Sequence, residues 1–487
     1  MTSTNHHKKL LIGGAAGLLV AGAAVALLNQ KPSEEEVRTE VDKWTTDLNT
    51  RLRQETGAIA LETHSLTPVS SGEYKLVTRA TLNSLGQADE SKDCVDLATT
   101  ISIHSALSST PVTTHTSVIS DPAQSDCQWL SSLTGEDRQL FDEVLKGRIP
   151  VTLDAEFARS GASQWHLKSE EIKHTQITEQ GEVLIQITPF LMDVSVPETG
   201  DQYQYSLSNQ GMEFGVKNPQ TQEDITRVAF GPVTSSAKGQ KVTENLWTGA
   251  MTLKMENVAL NAENKFFTLT SVDVTSDVHK EDAYLNSSVA LTFNGVRTKN
   301  GQSPQKEIDL GMLNYRFEAN KLEIASLDKL SQLFVELESH PDQYGAMIKE
   351  VTQLFSKAAD NSELKASLDH QINNNGLKVE LNARPLGLSK ITEEHLQHPS
   401  VLLSFLQASF ACSLDEEYLK HFENGPTMSA ADREKMRKTI DSLVQAAALV
   451  KEGSTYKTTV EWSGDSMMLL VNGVPPTPDM MRLLGPK

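Results

Sequence analysis

Cysteine and positive charge are both scarce in this chain. Three cysteines among 487 residues exclude a disulfide-dense scaffold and fall short of a four-thiolate metal centre. The 44 Lys and Arg stand against 64 Asp and Glu, a formal net charge of −20. A field of that sign repels phosphate backbones and excludes DNA or RNA as a partner. No Gly-rich phosphate loop, GxSxG nucleophile elbow or HExxH pair occurs. Ser-x-x-Lys appears at Ser235/Lys238, Ser303/Lys306 and Ser326/Lys329 without its companion motifs, which reads as chance. Glu394, His395 and His398 cluster without a third ligand at a metal-binding spacing, so they read as a solvated helix end or loop. His104 and His115 fall in strand-like stretches and read as polar-face residues. No catalytic residue, metal ligand or cofactor is therefore assigned.

What is present is most distinct at the start. Leu10 to Leu28 contain no charged side chain. Nineteen helical residues span about 28 Å, close to the roughly 30 Å hydrocarbon core of a bilayer. Lys8 and Lys9 precede the run, which predicts a cytoplasmic N-terminus and a translocated remainder. The first 31 residues hold Lys8, Lys9 and Lys31 and no acid, so the negative charge belongs to the translocated part. The rival reading is a cleaved signal peptide with Ala24-Val25-Ala26 at the cleavage site. Against it, the apolar run exceeds the usual signal length and no polar spacer precedes that site. Gly13, Gly17 and Ala21 recur every four residues, a face that would let two such helices dimerise, although short anchors are rich in Gly and Ala anyway. The run Val401 to Leu406 is too short to span.

In an oxidising compartment Cys94 and Cys127 would pair, closing a loop of about 34 residues worth roughly 3–4 kcal/mol; the alternative is two free thiols. Cys412, in the apolar run from Phe405, is expected as a small buried hydrophobe.

Along the rest of the chain, Ser33 and Glu36 form a capping box. Val37, Val41, Trp44, Leu48 and Leu52 line one face of the helix that follows, and Gly57 ends it. That helix either lifts the body off the bilayer or packs on the first sheet. From about 58 to 320 the pattern has period two, as in Ile101/Ile103, Val183/Ile185/Ile187 and Met251/Leu253/Met255, with a short helix near Glu136 to Lys146. Alternation of this kind predicts antiparallel sheets with one wet face. Trp247, Met251, Leu253, Met255 and Phe267 could line an apolar groove for lipid or peptide, and are expected instead as ordinary sheet core. Further on, helices are predicted from Ser326 and from Pro341. A hairpin over Leu364 to Leu381 turns at Asn373-Asn374-Asn375-Gly376. Helices are predicted again at roughly 399–422 and 429–452, and a closing hairpin runs from Tyr456 to Val471.

Trp247-Thr248-Gly249-Ala250-Met251-Thr252-Leu253, the stretch Leu364 to Leu381 and Val471-Asn472-Gly473 resemble the YdgA-like family of bacterial envelope proteins, a domain-of-unknown-function family (number 945). The resemblance implies one N-terminal anchor and a periplasmic body, and supplies no catalytic residues. The expected fold is α+β and β-rich: one N-terminal transmembrane helix, then a large, mainly antiparallel, curved sheet structure with C-terminal helices. The expected organisation is a cytoplasmic segment 1–9, an anchor 10–28, a juxtamembrane helix 33–57, a β-rich region 58–320 and a mixed α+β region 321–487. The expected role is non-enzymatic: a single-pass inner-membrane protein of envelope structure, assembly or transport that binds an envelope protein or lipid. The alternative is a periplasmic hydrolase acting on envelope material.

Overall fold

The computed structural model describes residues 34–484, except 56–58, 83–93, 105–107, 122, 126, 128–134, 179–180, 222, 263–264, 301–307, 340–343, 392–400, 402 and 424–428. The anchor 10–28 with Gly13, Gly17 and Ala21, the Ser33 cap, Ser303/Lys306 and the Glu394–His395–His398 cluster lie outside the described residues. Among the described residues no helix is long and apolar enough to cross a membrane.

The chain is β-rich, and it divides into two units. The first comprises 1–224, 232–240 and 335–341; the second comprises 225–231, 241–334 and 342–487.

Helix α1 (Glu34–Glu55) opens the first unit. The strands follow as β1 (Ile59–Ser70), β2 (Glu73–Leu82), β3 (Cys94–Ile103) and β4 (Val112–Val118). Helix α2 (Gly135–Leu145) precedes β5 (Val151–Phe157), β6 (Ser163–Ser169), β7 (Ile172–Thr178) and β8 (Gly181–Ile187). Next come β9 (Phe190–Val196), β10 (Gln202–Asn209), β11 (Met212–Lys217), β12 (Asp224–Phe230), which falls to the second unit, and β13 (Val233–Lys241). The first unit's strands pair antiparallel in the order β1-β2-β3-β4-β5-β6-β9-β10-β13, and β7-β8-β11 form a second ladder.

Alternation sends Leu76, Leu97, Ile101, Val112, Leu153 and Phe157 to one face, and α1 lies on it. Val37 and Val41 are fully buried there. The helix is pinned as well as packed. The Asn49 side chain donates to the Leu61 carbonyl at 2.6 Å and accepts from the Leu61 amide at 2.7 Å. Of the two readings of this helix, packing on the first sheet is the observed one. Phe157 meets Trp165 edge-to-face with centroids 5.3 Å apart, which closes this core. Cys94 and Cys127 are joined as a disulfide.

The second unit is a meander of long strands. β14 (Trp247–Ala262), β15 (Lys265–Glu281), β16 (Tyr284–Asn300) and β17 (Ile308–Glu323) pair successively. Helices α3 (Ile324–Ser339) and α4 (Tyr344–Ala359) intervene before the hairpin of β18 (Glu363–Ile372) and β19 (Asn375–Pro385). β20 (Leu406–Asp415), α5 (Glu416–Glu423), α6 (Ala430–Gln445), β21 (Val450–Glu452), β22 (Thr455–Ser463), β23 (Met468–Val471) and α7 (Pro478–Leu484) complete it. The ladder runs β12-β14-β15-β16-β17-β18-β19-β20-β22, with β21 and β23 sharing the outer edge of β22.

Three local expectations are corrected. The helix predicted over roughly 399–422 is largely strand β20, hydrogen-bonded on both sides, and only Glu416–Glu423 is helical. Leu406, Ala408, Phe410, Cys412 and Leu414 alternate with Gln407, Ser409, Ala411 and Ser413, and two waiting sheet neighbours favour that period-two reading. The helix predicted over 429–452 is capped by the Ser429 hydroxyl as expected, but it ends at Gln445. Ala447 follows at φ 55° and β21 occupies 450–452. The hairpin turns within the predicted Asn373-Asn374-Asn375-Gly376 stretch, but on its first two residues alone, both at positive φ, and Asn375-Gly376 already lies within β19. Asn tolerates the left-handed region that a type I′ turn demands.

Candidate functional site

The continuous register of the second unit's sheet puts like positions of each strand on one face. One row reads Leu253–Val274–Leu291–Tyr315–Leu368–Val379–Cys412 across seven strands. The next reads Met251–Ser276–Val289–Phe317–Ala366–Leu381–Phe410. The alternate phase gives rows such as Lys254–Asp273–Thr292–Asn314–Asp369–Lys378–Ser413. One face of the sheet is thus apolar and uncharged over these rows, and the other is polar.

The apolar face is covered at its margin. Leu443 and Ala446 of α6 and Met480 of α7 pack with Val460 and Val471. At one corner α5 sets Tyr418 beside His370, whose Nδ1 lies 2.6 Å from the Tyr418 hydroxyl and whose Nε2 lies 2.6 Å from the Leu310 carbonyl. A carbonyl only accepts, so Nε2 donates to it. Burial pushes the Tyr418 phenol up, which keeps its proton in place.

Away from these helices the face is open. Trp247 is 40% exposed, Val289 36%, Tyr315 39%, Phe317 37% and Leu381 46%. Met251, Leu253 and Met255 are half-buried. Trp247, Met251, Leu253 and Met255, expected as ordinary sheet core, are thus only partly covered, and Phe267 lies half-buried on the opposite face. Cys412 likewise is half-buried rather than buried, because it shares the open face. Burial pushes its thiol up, away from the thiolate a nucleophile needs. Fully burying a Leu, Val or Phe side chain is worth roughly 1.5–3 kcal/mol, so each of these residues forgoes much of that where it stands. Contiguous apolar exposure is uncommon on the surface of a soluble monomer.

The strand histidines sit elsewhere, on the polar face of the first unit's sheet. His115 Nδ1 lies 2.6 Å from Asp154 Oδ1, and His166 Nδ1 lies 2.6 Å from Asp193 Oδ1. Partial burial raises Asp154, but hydrogen bonds and charge from Lys168 and His115 hold it below the usual carboxylate range overall. His104 Nε2 contacts the Thr113 hydroxyl at 3.0 Å. Among the described residues no serine or cysteine is hydrogen-bonded to His115 or His166, so these pairs lack the nucleophile–base contact of acyl transfer. Ser235 of the first Ser-x-x-Lys match meets the Tyr205 hydroxyl at 3.1 Å, and Ser326 of the third donates to Glu323. Among the described residues no group of three or more His, Cys, Asp or Glu could hold a metal ion.

A β-rich, antiparallel-sheet protein with an open apolar face is the class that this architecture defines. The chain belongs to a bacterial family: the family model described as "Bacterial protein of unknown function (DUF945)" matches residues 8–478, nearly the whole chain. No curated protein and no solved structure matches it.

Proposed function

We propose that this protein is a non-catalytic, single-pass inner-membrane protein of the bacterial envelope, and that its body binds the acyl chains of lipid on the open apolar face of the second unit. The observation that carries the reading is the run of partly exposed Val289, Tyr315, Phe317 and Leu381 on an uncharged sheet face. Acyl chains are the partner such a surface suits, because they need apolar contact and no hydrogen-bonding groups, and none of those four strand positions offers a charge. The apolar segment 10–28 behind Lys8 and Lys9 supports the anchor, and the Cys94–Cys127 disulfide supports an oxidising compartment for the body.

The test is native mass spectrometry of the full chain purified from its own membrane in mild detergent, beside the double variant Phe317→Asp, Leu381→Glu. Lipid retained by the wild type and lost by the variant, with circular dichroism unchanged, is the expected result. Equal lipid on both, or none on the wild type, refutes acyl-chain binding at this face. An N-terminus beginning near Leu27 in the same spectrum refutes the anchor.

A further inference from the structure

Helix α1 fixes where the chain enters the first unit. It runs antiparallel to β1. Arg38 donates to the Leu66 carbonyl at 3.2 Å, the Thr45 and Thr63 hydroxyls meet at 3.1 Å, and Asn49 holds both backbone groups of Leu61. From Arg38 back to Glu34 the helix rises about 6 Å, and from Leu66 on to Pro68 the strand rises about 7 Å. Glu34 therefore stands level with Pro68, and the β1–β2 turn projects beyond it. Val69, at the root of that turn, is 59% exposed. Ser70, Ser71 and Gly72 form the tip, where the Ser70 hydroxyl donates to Glu73 at 3.0 Å. The β3 end lies alongside, with the Ile103 amide donating to the Gly72 carbonyl at 2.7 Å.

Five residues, Asn29 to Ser33, separate the apolar segment 10–28 from Glu34. Even fully extended, the six Cα steps from Leu28 to Glu34 reach no more than about 20–22 Å. A headgroup layer of roughly 5–8 Å takes up part of that reach. The helix adds no slack, because Val37 and Val41 are fully buried against the sheet and the Asn49 bonds pin it further along. Peeling it away would expose both valines and break those bonds. The end of the first unit's sheet that carries the β1–β2 turn is thus leashed short and rigidly.

We propose that the β1–β2 turn is a membrane-contact element, which rests on the headgroups of the bilayer holding this chain's own N-terminal segment. This placement depends on the anchored reading given above. The contact is at headgroup depth. Glu34, Glu35 and Glu36 open α1 and Glu73 closes the turn, with Lys31 and Arg38 as the cations beside them, and charges of that number stay out of hydrocarbon. Pro68, Val69 and the small residues Ser70, Ser71 and Gly72 are uncharged and foremost, so they are the part that enters the layer.

The test uses the full chain carrying Cys412→Ser, reconstituted in phosphatidylcholine vesicles with the native disulfide kept oxidised. A fluorophore is attached at Val69→Cys or, in a second sample, at Glu171→Cys. Glu171 is exposed and lies beyond the far end of β6, about 27 Å along the sheet from Ser163. A nitroxide carried on the lipid headgroup quenches whichever fluorophore lies within contact range. Quenching at position 69 is expected to exceed that at 171 at least threefold. Ser71→Cys takes the place of Val69→Cys if the melting temperature of that variant falls. Equal quenching at the two ends, or more at 171, overturns the placement while leaving the anchor standing, provided that the chain floats with the vesicles in a density gradient. A chain that does not float refutes the anchor, and the placement falls with it.

Discussion

Asp96 is a carboxylate with 2% of its surface exposed, and everything around it answers that burial. Arg79 donates to it twice at 2.8 Å, through Nε and Nη2, and the Ser125 hydroxyl donates at 2.7 Å. The Cys94–Cys127 bridge ties the same strand to the same segment two residues away on either side. Removing one partner of such a pair strands a charge, so Arg79→Met is expected to cost about 3–5 kcal/mol in urea unfolding monitored by circular dichroism. Glu423 and Arg437 form a second forked pair, at 2.8 and 2.6 Å, between α5 and α6. The hydrogen bonds from Arg437 hold the Glu423 carboxyl below its ordinary value of about 4.3. A depressed folded-state pKa stabilises above that value and is lost as pH falls through the folded one. Wild-type melting temperature is therefore expected to fall more steeply below about pH 4 than that of Glu423→Gln, and parallel melts across acidic buffers would check it.

At the scale of the element, the β18–β19 turn offers a contrast. Asn373 and Asn374 both adopt positive φ, at 51° and 66°. A β-branched residue there pays roughly 1–2 kcal/mol that glycine avoids. Asn374→Val is expected to lower stability by that amount and Asn374→Gly to leave it unchanged or higher, as paired thermal melts would reveal. The hairpin itself was legible, because Leu364/Ala366/Leu368 and Leu377/Val379/Leu381 alternate on either side of four consecutive turn residues. The packing of α1 was legible too, from the stripe that begins with Val37 and Val41. β20 was not. Phe405 and Leu406 are adjacent apolar residues, and Glu416–Glu423 is a true helix immediately after, so helical and extended periods overlap in one stretch. Only the two sheet neighbours decide between them. The open face was legible strand by strand, as in Met251/Leu253/Met255. Whether an apolar phase is covered depends on which elements pack over it, and no strand's own pattern records that.

For the whole molecule, the consequence is a native state with its apolar surface incompletely withdrawn from water. A dye that fluoresces in apolar surroundings is expected to bind the folded chain, and Phe317→Asp, Leu381→Glu is expected to reduce that signal severalfold. Retention of full fluorescence by the variant would place the dye elsewhere. Much of the second unit's sheet is also ordered as the chain is ordered: β15 to β20 each pair with the strand before them. Such a ladder has mostly short-range partners and can be laid down in sequence, each strand hydrogen-bonding to an edge that is already waiting. A chain emerging N-terminus first could therefore close β14 to β17 one after another before its last residues appeared, while the edge of β17 waits through α3 and α4 for β18.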